Sequence, residues 1–332
     1  MTLETHSREA NRAQSHLQTL PAFTDLACEP FFIVGFQRSG TTLLRMMLNA
    51  HPALAIPHDS GELWSSYREA AHNALGSEQA VRGFMERLAR DARIRAWTTE
   101  LPGAMLFAPP LPTDFAGVMR RFHGVYAHLQ GKPRWGDKNT GSLVELDRLN
   151  ALFPASRFIH LVRDGRDCAL SHMSKEYVYG YPNVLRVARE WREQVGLCRK
   201  MGAMLPSTRY MEVRYEDLVQ APPACLAQVC TFLDIAYTPE MLNYTSQVKR
   251  FVPDEKLGLW PLLDKPPVAS NVAKWKRHMR AADRAVFERH AGSLLHELGY
   301  ETLVPPVTEG RWLELWYELH SRLAWRLRAS RQ

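Results

Sequence analysis

The segment Phe31-Phe32-Ile33-Val34-Gly35, followed by Gln37-Arg38-Ser39-Gly40 and then by Thr41-Thr42-Leu43-Leu44-Arg45-Met46-Met47-Leu48, limits the choice of fold more than any other stretch of this chain. A short, unbroken apolar run ending in glycine reads as a strand buried on both faces. After the glycines, Leu43, Leu44, Met47 and Leu48 recur at helical spacing. Strand, tight loop and helix in that order aim loop N–H groups and a helix N-terminus at an anion. A second unit follows the same plan: RFIHLV (157–162) as strand, then the helix-like GRDCALSHM. A third strand is read over RYMEVRYEDLV (209–219), with ACLAQVCTFLDI as an amphipathic helix behind it. Residues 60–130 read as mostly helical with a Pro-rich break at 109–112, and 283–300 as a further helix. Alternating strands and helices predict an α/β domain: a central parallel β-sheet flanked by helices, with a helical insertion. Ligands of such sheets bind at the carboxyl ends of the strands.

Composition narrows the classes. With 332 residues, 45% of them hydrophobic, the chain supports one large core. A net charge of +7 suits polyanionic ligands such as nucleotides, sulfated products, nucleic acid or anionic lipid without choosing among them. No motif of interleaved aromatic and basic residues occurs mid-chain, so no nucleic acid partner is expected. Cys28, Cys168, Cys198, Cys225 and Cys230 are odd in number and include no CxxC. They predict reduced thiols and a cytoplasmic location rather than disulfides or a zinc site. No apolar run approaches the ~20 residues that span a bilayer. Residues 1–28 read as a polar arm without a secretory apolar core.

The loop Gly35–Thr42 has the glycine spacing of a P-loop, GxxxxGK[ST], but Thr41 stands at the lysine position and the cation comes earlier, at Arg38. Without a lysine for β- and γ-phosphates, the loop suits a 5′-phosphate better than a triphosphate. A nucleotidase would end its second strand in an aspartate that organises Mg²⁺. Here the strand ends in Arg163, whose planar fork suits a phosphate, with an ion pair to Asp164 or Asp167 as the other reading. Ser171 lies eight residues on, about two helical turns along, where its hydroxyl reaches the same phosphate. No metal is expected.

Together, GFQRSGTTLL and FIHLVRDGRDCALS resemble the two nucleotide-binding signatures of the sulfotransferases that use 3′-phosphoadenosine-5′-phosphosulfate (PAPS). RWGDKNTGSLVELDRLNALFP resembles the stretch before the second signature in the tyrosylprotein branch and its bacterial relatives. VRYEDLV with Pro222, and NVAKWKRHM, resemble the family's downstream nucleotide contacts. The resemblance runs over about residues 31–280 and is weakest between 62 and 130. It implies a single P-loop-like domain, taken as residues 29–305, that moves a sulfuryl group from PAPS to an acceptor hydroxyl and releases PAP. It implies that Arg38 sits near the bridging oxygen of the leaving phosphate, and that Ser39, Gly40, Thr41 and Thr42 hold the 5′-phosphate. Arg163 and Ser171 would hold the 3′-phosphate, and Tyr215 would lie near the adenine. Lys138 would stabilise the transferring group, and Lys274 would close over the nucleotide. Relatives place a glutamate base where HPALAIPHDSGE has Asp59, with Glu62 or His58 as alternatives and a helix N-cap as the structural reading of Asp59.

The acceptor stays open among small-molecule, carbohydrate, lipid and peptide hydroxyls. Residues 62–130 and 240–268 are expected to build its pocket, with Phe84, Trp97, Phe107, Phe115, Phe122, Tyr126 and Trp260 as lining or as core. A P-loop-type kinase and a non-catalytic nucleotide or nucleic-acid binder are the competing readings. Beyond the domain, residues 306–332 read as an amphipathic helix with Trp312, Leu315, Trp316, Leu319 and Leu323 on one face. That face could pack on its own domain, form a homodimer, or lie in a membrane interface.

Overall fold

In the computed structural model, residues 29–58, 60–67, 70, 75–97, 101–174, 183–252, 254–302 and 312–320 are described. Strands β1 (Phe31–Val34), β2 (Leu54–Ala55), β3 (Arg134–Lys138), β4 (Arg157–Val162) and β5 (Tyr210–Arg214) form one sheet in the order β2-β3-β1-β4-β5. Every pairing is parallel. The main helices are α1 (Thr41–Asn49), α2 (Glu78–Arg90), α3 (Phe115–Leu129), α4 (Gly165–Met173), α5 (Val184–Gly202), α6 (Tyr215–Gln220), α7 (Pro222–Leu233) and α8 (Ala281–Glu297).

β1 is buried along its whole length, as its apolar run predicts. Its side chains alternate between two cores. Phe32 and Val34 join Trp97, Phe122, Trp135 and Trp191 on one face of the sheet, while Phe31 and Ile33 join Met47, Leu161 and Leu226 on the other. From β1 the chain builds β2 and β3 to one side, then crosses to lay β4 and β5 on the other. The winding reverses at the β1–β4 seam, where open parallel sheets bind ligands.

Three elements differ from the sequence reading, the first being β2, which was not read as a strand. The third strand stops at Arg214, and Tyr215–Gln220 is helical. Glu216 turns inward there: its carboxylate accepts from the Asp164 amide at 3.1 Å and from the Tyr300 hydroxyl at 3.0 Å. The charged, glycine-containing RWGDK, unassigned from sequence, is β3, with Trp135 to Lys138 buried. Of the cysteines, Cys168, Cys198, Cys225 and Cys230 are buried free thiols, and Cys28 lies outside the described residues.

Two buried histidines set an acid limit. Burial pushes His160, on β4, down to about 3, and His172, on α4, down to about 4. Unfolding frees both rings to take a proton near the ordinary value of 6.5. The folded pKa lies below the unfolded one, so this stability is complete above pH 6.5 and is lost as pH falls. The loss is about 1.4 kcal/mol per pH unit for each ring. Thermal melts should therefore show a falling midpoint between about pH 6.5 and 5, above the ordinary carboxylate range. A flat midpoint there would contradict the burial of both rings in neutral form.

Candidate active site

Because the strands are parallel, their carboxyl ends share one edge of the sheet. Register pairs Ile33 with Lys138, Val34 with His160, and Val162 with Arg214. Gly35, Lys138, Arg163 and Tyr215 therefore emerge together, although they are far apart in sequence. A cavity of about 670 Å³ opens at this edge. Arg38, Gly40, Thr41, Thr42, Lys138, Arg163, Ser171, Tyr215 and Lys274 all line it. Ser39 is buried beside it, and its hydroxyl has no hydrogen-bond partner. Asp59 lies outside the described residues, as does the side chain of Glu62.

The loop is bent so that its glycines cannot be replaced. Gly40 has φ +101°, and a Cβ on it would meet the Tyr215 ring at 2.4 Å. Arg38 also holds a left-handed backbone, φ 69°, unusual for a side-chain-bearing residue and typical of strained functional loops. Gly40 caps α1 without a side-chain hydrogen bond. The first-turn amides of α1 thus meet the cavity as uncapped donors, a ready anion site.

The cations are held by the loop's surroundings. Arg38 Nε donates to Ser171 Oγ at 3.0 Å and Nη2 donates to the Leu259 carbonyl at 2.8 Å. Arg163 donates from Nη1 to the Arg38 carbonyl at 3.1 Å and from Nη2 to the Asn271 carbonyl at 2.9 Å. Its guanidinium lies 4.2 Å from the Tyr215 ring centroid, and its buried Nε has no partner. Asp164 pairs with Arg166 instead, at 2.7 Å, while Asp167 stands 3.7 Å from Arg163. Burial raises the Asp167 pKa and the Arg163 charge opposes that rise. Asp167 also accepts from the Trp275 amide at 2.9 Å, which fixes the segment bearing Lys274 over α4.

Buried charged residues that the sequence did not single out brace this edge of the sheet from within. Arg45 is fully buried in α1 and donates to the carbonyls of Ile56 and Phe251 and to His58 Nδ1, the last at 3.1 Å. Arginine is donor-only, so His58 Nδ1 accepts and the proton of the neutral ring sits on Nε2. That tautomer makes Nε2 a donor, which argues against His58 as a base. Asp137, next to Lys138 on β3, accepts from Trp64 Nε1 at 2.7 Å and faces His123 Nε2 at 3.4 Å. Burial works to raise the Asp137 pKa, yet His123, Ser60 and Trp64 hold it below the usual carboxylate value. One buried carboxylate thus ties residues 60–64 to the strand that carries Lys138. A lone arginine inside LLRMML and an aspartate inside RWGDK were the available signals, since buried charges need partners.

Of the aromatic candidates, Trp260 alone lines the cavity among the described residues. Phe84, Trp97, Phe115, Phe122 and Tyr126 are buried in the core and Phe107 packs against it. Leu259, Trp260, Pro261, Leu262 and Leu263 give the cavity an apolar stretch of lining, and no described residue of 62–130 lines it. α3 is apolar on most of its circumference and is spent on packing against β3.

Comparison with known proteins decides the family: the model of the Sulfotransferase family matches residues 30–239, more than half of the chain. The chain belongs to the sulfotransferase family. Among curated sulfotransferases, the protein-tyrosine sulfotransferase of Drosophila melanogaster is 24% identical over 222 residues, 66% of this chain and 40% of the fly protein. The putative protein-tyrosine sulfotransferase of Caenorhabditis briggsae is 25% identical over 224 residues, 64% of this chain and 68% of its own length. Among solved structures, a sulfotransferase domain from the curacin biosynthetic pathway superposes with a TM-score of 0.60 and 26% identity, covering 83% of this chain and 99% of that domain. The kinase reading is not favoured, in keeping with the sulfotransferase loop that lacks the lysine.

Proposed function

We propose that this sulfotransferase moves the sulfuryl group of PAPS to a hydroxyl on an apolar acceptor, releasing PAP, without a divalent metal. The observation that carries the reading is the convergence of Arg38, Lys138, Arg163 and Lys274 on one cavity beside an uncapped helix start. Among the described residues the cavity's one carboxylate is Asp167, and it is already engaged by Arg163 and the Trp275 amide. Such a donor set suits an anion with several phosphate and sulfate oxygens and does not suit Mg²⁺.

PAPS supplies an activated sulfuryl group. The loop amides, Ser39, Thr41 and Thr42 bind its 5′-phosphate, and the unpartnered Ser39 hydroxyl and Arg163 Nε are donors awaiting acceptors. Arg163 and Ser171 bind the 3′-phosphate, Tyr215 borders the adenine and Lys274 covers the nucleotide. Arg38 gives up Leu259 and Ser171 to meet the charge that develops on the leaving phosphate, and Lys138 faces the transferring group. The Asp59 carboxylate takes the acceptor proton as the acceptor oxygen bonds to sulfur. The sulfur–oxygen bond to the 5′-phosphate breaks, and its electron pair leaves with PAP. Positioning and fixed cations supply the acceleration.

The Leu259–Leu263 wall favours a hydroxyl borne on an aromatic ring or acyl chain over a sugar, whose many hydroxyls need polar partners. A phenol, as in the tyrosine acceptors of the curated relatives, has that shape. Buried free thiols fit a cytoplasmic setting. With PAPS labelled in its sulfuryl group, transfer to a phenolic acceptor should proceed undiminished in excess EDTA. Transfer that stops on chelation and resumes with Mg²⁺ would refute the metal-free reading.

A further inference from the structure

Residues 312–320 form a helix that docks on the domain by its polar side. Tyr317 is buried, and its hydroxyl donates to Asp283 and accepts from Arg280. Glu314 accepts from Arg289 and His290, and Glu318 pairs with Arg189. Asn183 donates to the Tyr317 carbonyl at 3.2 Å. Every acidic side chain of the helix is thereby turned inward and neutralised. The apolar stripe read from sequence faces the other way: Trp312 is 85% exposed, Leu315 62%, and Trp316 and Leu319 56% each. These are four of the eight large apolar side chains exposed among the described residues, gathered on one helix face, so they form a patch rather than scattered exceptions.

The composition of the chain beyond this helix selects the partner. Residues 321–332 contain Arg322, Arg326, Arg328 and Arg331 and no acidic residue, with Leu323 and Leu327 continuing the apolar spacing. Exposed tryptophan and leucine followed in sequence by an arginine-rich segment match the interface of an anionic bilayer, where rings sit at headgroup level and guanidinium groups meet lipid phosphates. A second copy of this chain fits less well, because residues 321–332 add four arginines per chain and the described helix offers no outward carboxylate to receive them. We propose that this helix is a docking surface for anionic membrane, holding the catalytic domain at the lipid–water interface.

The test is sedimentation of the full-length protein with vesicles of phosphatidylcholine alone, or with about a third phosphatidylserine, at low salt. Binding is expected only to the anionic vesicles, with a blue shift of tryptophan emission. The Trp312→Ser/Trp316→Ser variant should lose at least about tenfold in vesicle affinity. Arg322→Ser/Arg326→Ser/Arg328→Ser should lose a comparable factor and flatten the salt dependence. Melting temperature and PAP binding report folding independently, and both should be unchanged for the tryptophan variant because Trp312 and Trp316 are exposed. The inference is overturned if wild-type protein ignores anionic vesicles in low salt, or if the tryptophan variant binds them as well as wild type. It is overturned equally if wild type is a dimer by light scattering that the tryptophan variant converts to monomer.

Discussion

Asp59→Asn is expected to lower turnover about 10²–10⁴-fold while leaving the affinity for PAP intact. The reasoning starts from its neighbours in the chain. His58 lines the cavity and is held by Arg45, and Ser60 is buried beside Asp137, which anchors Trp64. Both chain neighbours of Asp59 are therefore fixed, His58 at the cavity and Ser60 in the interior. Its carboxylate would hold the acceptor hydroxyl and receive the proton, and asparagine preserves shape while removing the basicity. None of the groups proposed for the 3′-phosphate is touched, so nucleotide binding should persist. Turnover and PAP titration on the same preparations check both halves. If Glu62→Gln abolishes turnover and Asp59→Asn does not, the base lies three residues further on.

Arg163→Ala should weaken PAP by about 10²–10³-fold, the scale of losing two charge-assisted hydrogen bonds. Adenosine 5′-phosphosulfate, which has no 3′-phosphate, should be affected far less. The comparison matters because Arg163 also supports the loop, through its bond to the Arg38 carbonyl and its stacking on Tyr215. Equal losses for both nucleotides would mean that the arginine shapes the loop and does not read the phosphate. Calorimetry with the two nucleotides separates these outcomes.

The sequence pattern announced the parts of the molecule where local and global demands coincide. The FFIV strand is buried on both faces, so burial alone wrote its composition; Gly35 after it is required by crowding against the Leu161 carbonyl, and Gly40 by a left-handed turn against Tyr215. RFIHLV and GRDCALSHM read equally clearly, as β4 and α4. β3 was hidden because its residues serve the site: Asp137 and Lys138 are polar, yet buried and partnered. The end of β5 was misjudged because Tyr215 and Val219 are strand-like residues held in α6 by tertiary contacts, with Glu216 bonded to Asp164 and Tyr300. At the site, residues carrying local motifs were legible. Arg45, His123 and Trp64 act through partners that are distant in sequence, and no local pattern announces such partners. The tail was legible as amphipathic, but not which face it buries, because that choice rests on Asp283, Arg289 and Arg189 elsewhere in the chain.

On the proposed function, the cavity at the sheet's carboxyl edge takes a nucleotide carrying a 5′-phosphate and a 3′-phosphate. Thermal melts with PAP, and separately with ATP and Mg²⁺, test it most directly. At ligand concentrations about a hundredfold above Kd, PAP should stabilise the protein by roughly 2.7 kcal/mol, a shift of several degrees in Tm, and ATP with Mg²⁺ should leave Tm unchanged. A shift with ATP and Mg²⁺ and none with PAP would contradict the account.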